Sequence, residues 1–540
     1  MNAKIGFAAL FCFLFAPGQA QTWDTYRIAG GPGEESFTCL EAGPEDDVFV
    51  TGTYYEPFEW DGFSLPEYGS GDLFLARLDG AGMPVWVLPG GGLDTEESTA
   101  LAARTDGRVF WGGAFWDQIT IGAWTWAAPA AGKALFLLEV SGEGIPETGK
   151  VFSGPGAKAL RDLILDQDNN LYAIGFFGGA LTIEDTTLQA HGELDGFAAK
   201  WNAAGEFQWA TRFGEAGEVR GECLAVRHNA QLFLGGRFNG SISMAGTDIQ
   251  SNTWDEDGFV AALSAETGQA LWLRKAGAQY DSAVNALVVN ETNELFATGT
   301  FVGVLQVAEG WTIATQGFNT NFFLIRYDAL DGTPEWAQSL GNGTDEQGLS
   351  MEIRNEGPVV AGLFRNSLTL EGQTITGAGE GFNGFAAAFR PEGSLRWMLG
   401  FPGDGFVIPE AMAVMDDGAV WFAGGFSGTA FFNGEPILSD GFFDAWVGKL
   451  SSGVTATREQ ALWSLPGRVF PNPVSDLLFL DGFPDETLFR LLRPDGIACS
   501  ETEITKRIDM RGLPDGLYYL QVWAPEKKSF YTIPILKIEP

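Results

Sequence analysis

Apolar and polar positions along this chain alternate in short runs, and the runs repeat. One strand-like segment occurs seven times, as VTGTY, GGAFW, AIGFF, LGGRF, ATGTF, VAGLF and FAGGF. Its glycine is Gly52, Gly113, Gly175, Gly236, Gly299, Gly362 and Gly424, at steps of 61, 62, 61, 63, 63 and 62 residues. An aromatic residue follows two places later in every case: Tyr54, then Phe115, Phe177, Phe238, Phe301, Phe364 and Phe426. Before the glycine lies another apolar run and a polar turn, as in LAARTDGRVF and AVMDDGAVWF, which reads as a hairpin. After it come an apolar-x-apolar pair with its own turn (LTIEDTTL, LTLEGQTI), an Asp-x-aromatic strand (DGFAAKW, DAWVGKL) and a strand headed by Trp86, Trp209, Trp272, Trp336 or Trp397.

Each repeat therefore predicts four or more antiparallel strands. The expected fold class is all-β, a seven-bladed β-propeller over residues 21–453. Trp23, in TWDTYRIAGG, heads a strand that precedes repeat 1, while repeat 7 ends near residue 453 without a Trp strand. The N-terminal strand is expected to complete the seventh blade and close the ring. Repeat 2 is degenerate: Ala134 replaces its Asp, and Glu147 or Thr148 stands where Trp is expected. These repeats resemble the bacterial β-propeller repeats found in many secreted proteins, a likeness that implies fold more than function.

Composition fits strands and turns, with 73 Gly, 18 Trp and 13% aromatic residues against only 19% charged ones. The net charge of −38, concentrated between residues 21 and 467, argues against nucleic acid as a partner. Residues 1–20 carry Lys4, the apolar run Ile5–Ala16 and Gly18-Gln19-Ala20, the pattern of a secretory signal peptide cleaved before Gln21. That run is too short to span a bilayer, and no transmembrane segment is expected elsewhere.

Residues 454–467 break the period and read as a linker, and residues 468–540 read as a small β-sandwich-like domain. Its marks are Pro471-Asn472-Pro473 with Ser475, the turn at Asp495-Gly496, the block Leu513-Pro514-Asp515-Gly516-Leu517-Tyr518, and Lys537 near the end. In this order they resemble the type A C-terminal sorting domain of the Bacteroidota type IX secretion system. That pattern usually has Ala where Asp515 stands, and the chain continues three residues past Lys537. The resemblance implies the type IX secretion machinery as a partner, removal of the tail, and a mature protein that is extracellular or on the outer-membrane surface.

Catalytic chemistry is hard to find. The two histidines, His191 and His228, read as loop residues, and no Cys/His cluster has zinc spacing. After the signal, Cys39, Cys223 and Cys499 remain; the first two share a repeat position and read as buried small hydrophobes. No cofactor is expected beyond calcium, whose one candidate is Asp166-x-Asp168-x-Asn170, a segment that also reads as a hairpin turn. Asp72, Asp195, Asp257 and Asp444 share one repeat position with Asn321 and Asn383, and are expected to bind backbone amides. ALSAETGQALW (262–272) is similar to the tryptophan-docking pattern of quinoprotein dehydrogenases but lacks their vicinal Cys pair, and reads as blade packing.

Four aromatics escape the core pattern: Tyr55, Trp116, Trp124 and Trp311. They form the candidate ligand surface, with Tyr55, Trp116 and Trp124 expected to share one sector of the disc. The leading expectation is a non-enzymatic binding propeller for a protein or glycan. The rivals are a polysaccharide hydrolase or lyase using channel carboxylates, and a structural adhesion or surface-layer component.

Overall fold

The computed structural model describes residues 23–450 apart from 129–131, 228–229, 253–254, 316–318 and 355–356, together with the strands between 468 and 537 and residues 510, 511, 513 and 514. The chain divides into two compact units, Met1–Ser452 and Gly453–Pro540. The expected signal peptide (1–20) and the expected linker (454–467) lie outside the described residues.

The first unit is an all-β propeller, and its one helical segment among the described residues is the short turn Pro44–Asp46. The meander of repeat 4 is typical: Ala216–Arg227, Gln231–Met244, Asp257–Ser264 and Ala270–Ala278 pair antiparallel in that order. Repeat 2 makes the same meander despite its lost Asp and Trp, with Glu97–Ala103, Val109–Trp116, Lys133–Val140 and Pro146–Phe152.

The recurring glycine has a steric cause. The first strand of each repeat carries a bulge at one fixed place, such as Phe37/Cys39, Ser98/Ala100 and Pro409/Ala411. The bulge drives a first-strand carbonyl over the glycine of the second strand. A Cβ on Gly113 would run into the Glu97 carbonyl oxygen, with the Phe136 ring against its other side; Gly424 meets Ile408 in the same way. The Asp-x-aromatic ring fills the space the glycine leaves, and Phe74, Phe197, Phe259, Phe323, Phe385 and Trp446 are all buried.

Three tryptophans of the fourth strands latch neighbouring repeats. Trp86 Nε1 donates to Gly142 O of repeat 2 (2.8 Å), Trp272 to Ala329 O (3.2 Å) and Trp336 to Pro391 O (2.9 Å). The N-terminal strand Trp23–Ala29 pairs with Asp444–Leu450. Trp23 is not the counterpart of those latch residues, however. The register aligns Thr25 with them, and it is Thr25 Oγ1 that reaches the turn of repeat 1, at Ala81 O (3.0 Å). Trp23 instead lies opposite Leu450, packed on Trp446, Phe401, Phe422 and Phe432.

In the second unit, Arg468–Phe470, Leu477–Asp481 and Arg507–Asp509 form one sheet. Glu503–Ile504, Leu488–Leu492, Gly516–Ala524 and Ser529–Lys537 form another. Leu478, Leu480, Phe489, Leu491, Ile508, Met510, Tyr518 and Leu520 make its core, with Leu513 packed against it. Tyr518 Oη donates to Pro514 O (2.8 Å), and Gly516 pairs with the buried Lys537. Pro471, Asn472, Pro473, Asp495 and Gly496 lie outside the described residues.

Candidate functional site

Strand alternation places the site. In the Gly-x-aromatic strand the aromatic turns inward, so Tyr54 and Phe115 are buried. The next residue turns outward, leaving Tyr55 44% and Trp116 43% exposed. Both line one cavity of about 590 Å³, with Phe176 as a third ring and Thr38, Thr53, Thr95 and Thr99 between them. Charged groups complete the wall. Lys133 pairs with Glu97, and Arg161 pairs with Glu222 (2.6 Å). Lys158 is buried, and that burial pulls its ammonium down to about 8. Its Nζ donates to Lys133 O, Gly154 O and Gly156 O at 2.7–2.8 Å.

This cavity continues into the axial channel. Thr38, Thr99 and Arg161 line both spaces, and the channel, about 320 Å³, is walled by the first strands of all the repeats. Five carboxylates line it: Glu41, Asp162, Glu222, Glu352 and Glu410. Burial pushes Asp162 and Glu352 up to about 7, Asp162 itself adding to the rise of Glu352. Glu41 is pushed well up by burial and by Glu352 and Asp162, and Glu410 is raised by burial. Asp162 accepts the Leu224 amide (2.7 Å), and Glu410 accepts the Ser36 hydroxyl (3.2 Å).

The sequence reading did not single out these channel acids. Their signal lies in the first strands: KALRDLIL and VIPEAMAV place an acid at or just after the bulge, and ESFTCLEA and QGLSMEIR place one three residues past it.

The other candidates separate. Trp124 is not among the residues that line this cavity. It sits on the hairpin Gln118–Ile121/Trp124–Ala127, which pairs with the outer strand of repeat 1, and it meets Trp126 edge-to-face at 5.5 Å. Both rings cover Gly149 of repeat 2, because alternation points positions 124 and 126 to the same side. Trp311 is likewise partly buried, on the hairpin Val304–Ala308/Trp311–Ala314 against the core containing Trp272.

Asp166 forms a closed turn. Its Oδ1 accepts the amides of Asp168 and Asn170, and its Oδ2 accepts Tyr172 Oη. His191 lies exposed beside Arg212 and Glu215, and His228 is outside the described residues. Cys39 and Cys223 are free thiols, Cys223 buried and Cys39 partly so. Asp72, Asp195 and Asp444 each accept two backbone amides of the loop before them. No described helix is long and apolar enough to cross a membrane.

No family model matches the chain, and no curated protein matches it. Among solved structures, Kuenenia stuttgartiensis hydrazine synthase is similar at TM-score 0.40 and 10% identity, over 76% of this chain and 95% of that one. Cobalt-substituted Synechocystis apocarotenoid oxygenase is similar at TM-score 0.31 and 10% identity, over 63% and 69%. PorZ of Porphyromonas gingivalis, a bacterial surface component of the type IX secretion system, is similar at TM-score 0.16 and 11% identity, over 95% and 100%. At these identities and scores, no substrate, partner or location passes from those proteins to this chain.

Proposed function

We propose that this chain is an exported, seven-bladed binding propeller that takes a glycan in the cavity of Tyr55 and Trp116. The carrying observation is that these two rings, each over two-fifths exposed, line one concave space of about 590 Å³. Exposed aromatic faces stack on sugar rings, while Lys133, Glu97 and the threonines offer hydrogen bonds around them. Four-stranded meanders at the successive repeats support the blade count, and the pairing of Trp23–Ala29 with Asp444–Leu450 supports closure by the N-terminal strand. Export by the type IX route rests on the tail's sequence marks, and the two sheets around one core are consistent with a small sandwich-like domain. The test is a glycan array probed with the full chain and with Trp116→Ala. Ligand capture by the parent and its loss in a variant of unchanged melting temperature support the reading; equal capture by both refutes it.

A second reading has its own observation. Asp162 and Glu352, both held near 7, could serve as general acids on a polysaccharide threaded into the channel. Release of new reducing ends or unsaturated ends by the parent, abolished in Asp162→Asn, would favour it over binding alone.

A further inference from the structure

The repeats meet at equivalent junctions, and each junction brings two fixed positions together. One is the Asp position of the third strand: Asp72, Ala134, Asp195, Asp257, Asn321, Asn383 and Asp444. The other opens the first strand of the following repeat. There the amides of Glu35, Glu96, Val219, Ser282 and Glu346 each donate to the carbonyl just before the facing Asp or Asn position, at Phe443, Gly71, Leu194, Glu256 and Thr320. All these side chains are buried.

Charge can be followed from junction to junction. Asp195 faces Val219 and is paired with Arg212 (3.1 Å). Asp257 faces Ser282 and is paired with Lys275 (2.8 Å). Where Asn321 removes one charge, the single carboxylate of Glu346 accepts the Asn342 and Thr344 amides and the Thr344 hydroxyl. Between repeats 2 and 3 the acid is absent altogether. Ala134 stands in its place, and Lys158 brings an ammonium held by three backbone carbonyls.

Two junctions break this balance. Asp72 and Glu96 meet between repeats 1 and 2, each 1% exposed. Asp444 and Glu35 meet between repeats 7 and 1, and are 2% and 1% exposed. Among the described residues none of the four has a Lys or Arg partner. Asp72 Oδ1, Glu96 Oε1 and Glu35 Oε1 are buried and accept no hydrogen bond from the protein. A buried carboxylate pair is costly unless a cation or proton neutralises it.

We propose that Asp72 with Glu96, and Asp444 with Glu35, each bind a calcium ion at the junction, in the place equivalent to the one Lys158 fills with its ammonium between repeats 2 and 3. The free oxygens Asp72 Oδ1, Glu96 Oε1 and Glu35 Oε1 are hard ligands suited to this ion. By sequence position, four residues before the first-strand acid, the counterparts of Gly154, whose carbonyl accepts from Lys158, are Gly92 and Gly31. The ions would staple repeat 1 to both of its neighbours. These sites are separate from Asp166, whose oxygens are taken by its own turn.

The experiment is calcium stoichiometry on the purified, chelator-stripped full chain by equilibrium dialysis at about 1 mM calcium, a concentration that fills weak extracellular sites. The expected result is two ions per chain. The double variant Asp72→Ala, Glu96→Lys copies the junction of repeats 2 and 3 and should bind one. Adding Asp444→Ala with Glu35→Lys should abolish binding. If a lysine variant does not fold, Asp72→Asn with Glu96→Gln keeps the shape, removes the charge and should also bind one. A parent chain that binds no calcium, with the carboxylates satisfied by a proton, overturns the proposal. So does a folded Asp72/Glu96 variant that still binds two.

Discussion

At the residue scale, the two fates of the odd aromatics are decided by one step of strand alternation. Tyr55 and Trp116 follow a buried ring and face outward, whereas Trp124 lies on a hairpin that folds down onto Gly149. Tyr55→Ala with Trp116→Ala should therefore change stability by no more than about 0.5 kcal/mol per site, as exposed positions do, while removing ligand capture. Thermal unfolding beside a binding assay checks both halves. The recurring glycine behaves oppositely. Gly113→Ala must push its Cβ against the Glu97 carbonyl and the Phe136 ring, neither of which is the loose end of a flexible chain. A loss on the order of 2–3 kcal/mol in chemical denaturation is expected, and a neutral variant would show that the strands can part there at little cost.

At the element scale, the bulged first strand does most of the organising. It forces the glycine beside it, and it turns acids toward the axis. Asp162 and Glu352 prefer the protonated form in the folded state, near 7, while the unfolded chain releases those protons near 4. Folding is thus favoured by these groups below about pH 4, and that contribution is lost as pH rises toward 7. Asp162→Asn, which keeps an acceptor for the Leu224 amide, should match the parent at pH 4 and exceed it by on the order of 1–2 kcal/mol at pH 8. Denaturation at the two pH values measures the difference. A variant weaker than the parent at pH 8 would mean that the charged carboxylate is stabilising in the channel.

At the scale of the whole molecule, closure depends on a strand contributed from the far end of the chain. Trp23 sits among Trp446, Phe401, Phe422 and Phe432. Trp23→Ala should cost about 3–5 kcal/mol by leaving a cavity among those rings. Deleting residues 21–31 should strip the pairing from Asp444–Leu450 and expose an edge, so light scattering should report aggregation. Export, as proposed, is a separate matter of the tail. A chain lacking 468–540 should remain in the periplasm with its propeller folded, and surface delivery of that truncated chain would remove the sorting assignment.

The sequence by itself determined the strands, their number per repeat and the places of the turns, because alternation and glycine spacing are local properties that recur with the period. It also determined which residues break the repeat, since departure from a pattern is visible without coordinates. The register of the closing strand was beyond it: Trp23 reads as a fourth-strand tryptophan, yet Thr25 pairs with Lys449 as Trp86 pairs with Arg77, and Trp23 falls opposite Leu450 as Pro84 falls opposite Leu78. The convergence of Glu41, Asp162 and Glu352 on one axis, and of Asp72 with Glu96 across a junction, likewise emerged only from the tertiary structure. Those residues come from different repeats, and their burial and mutual repulsion exist only once the repeats are wrapped around a common centre.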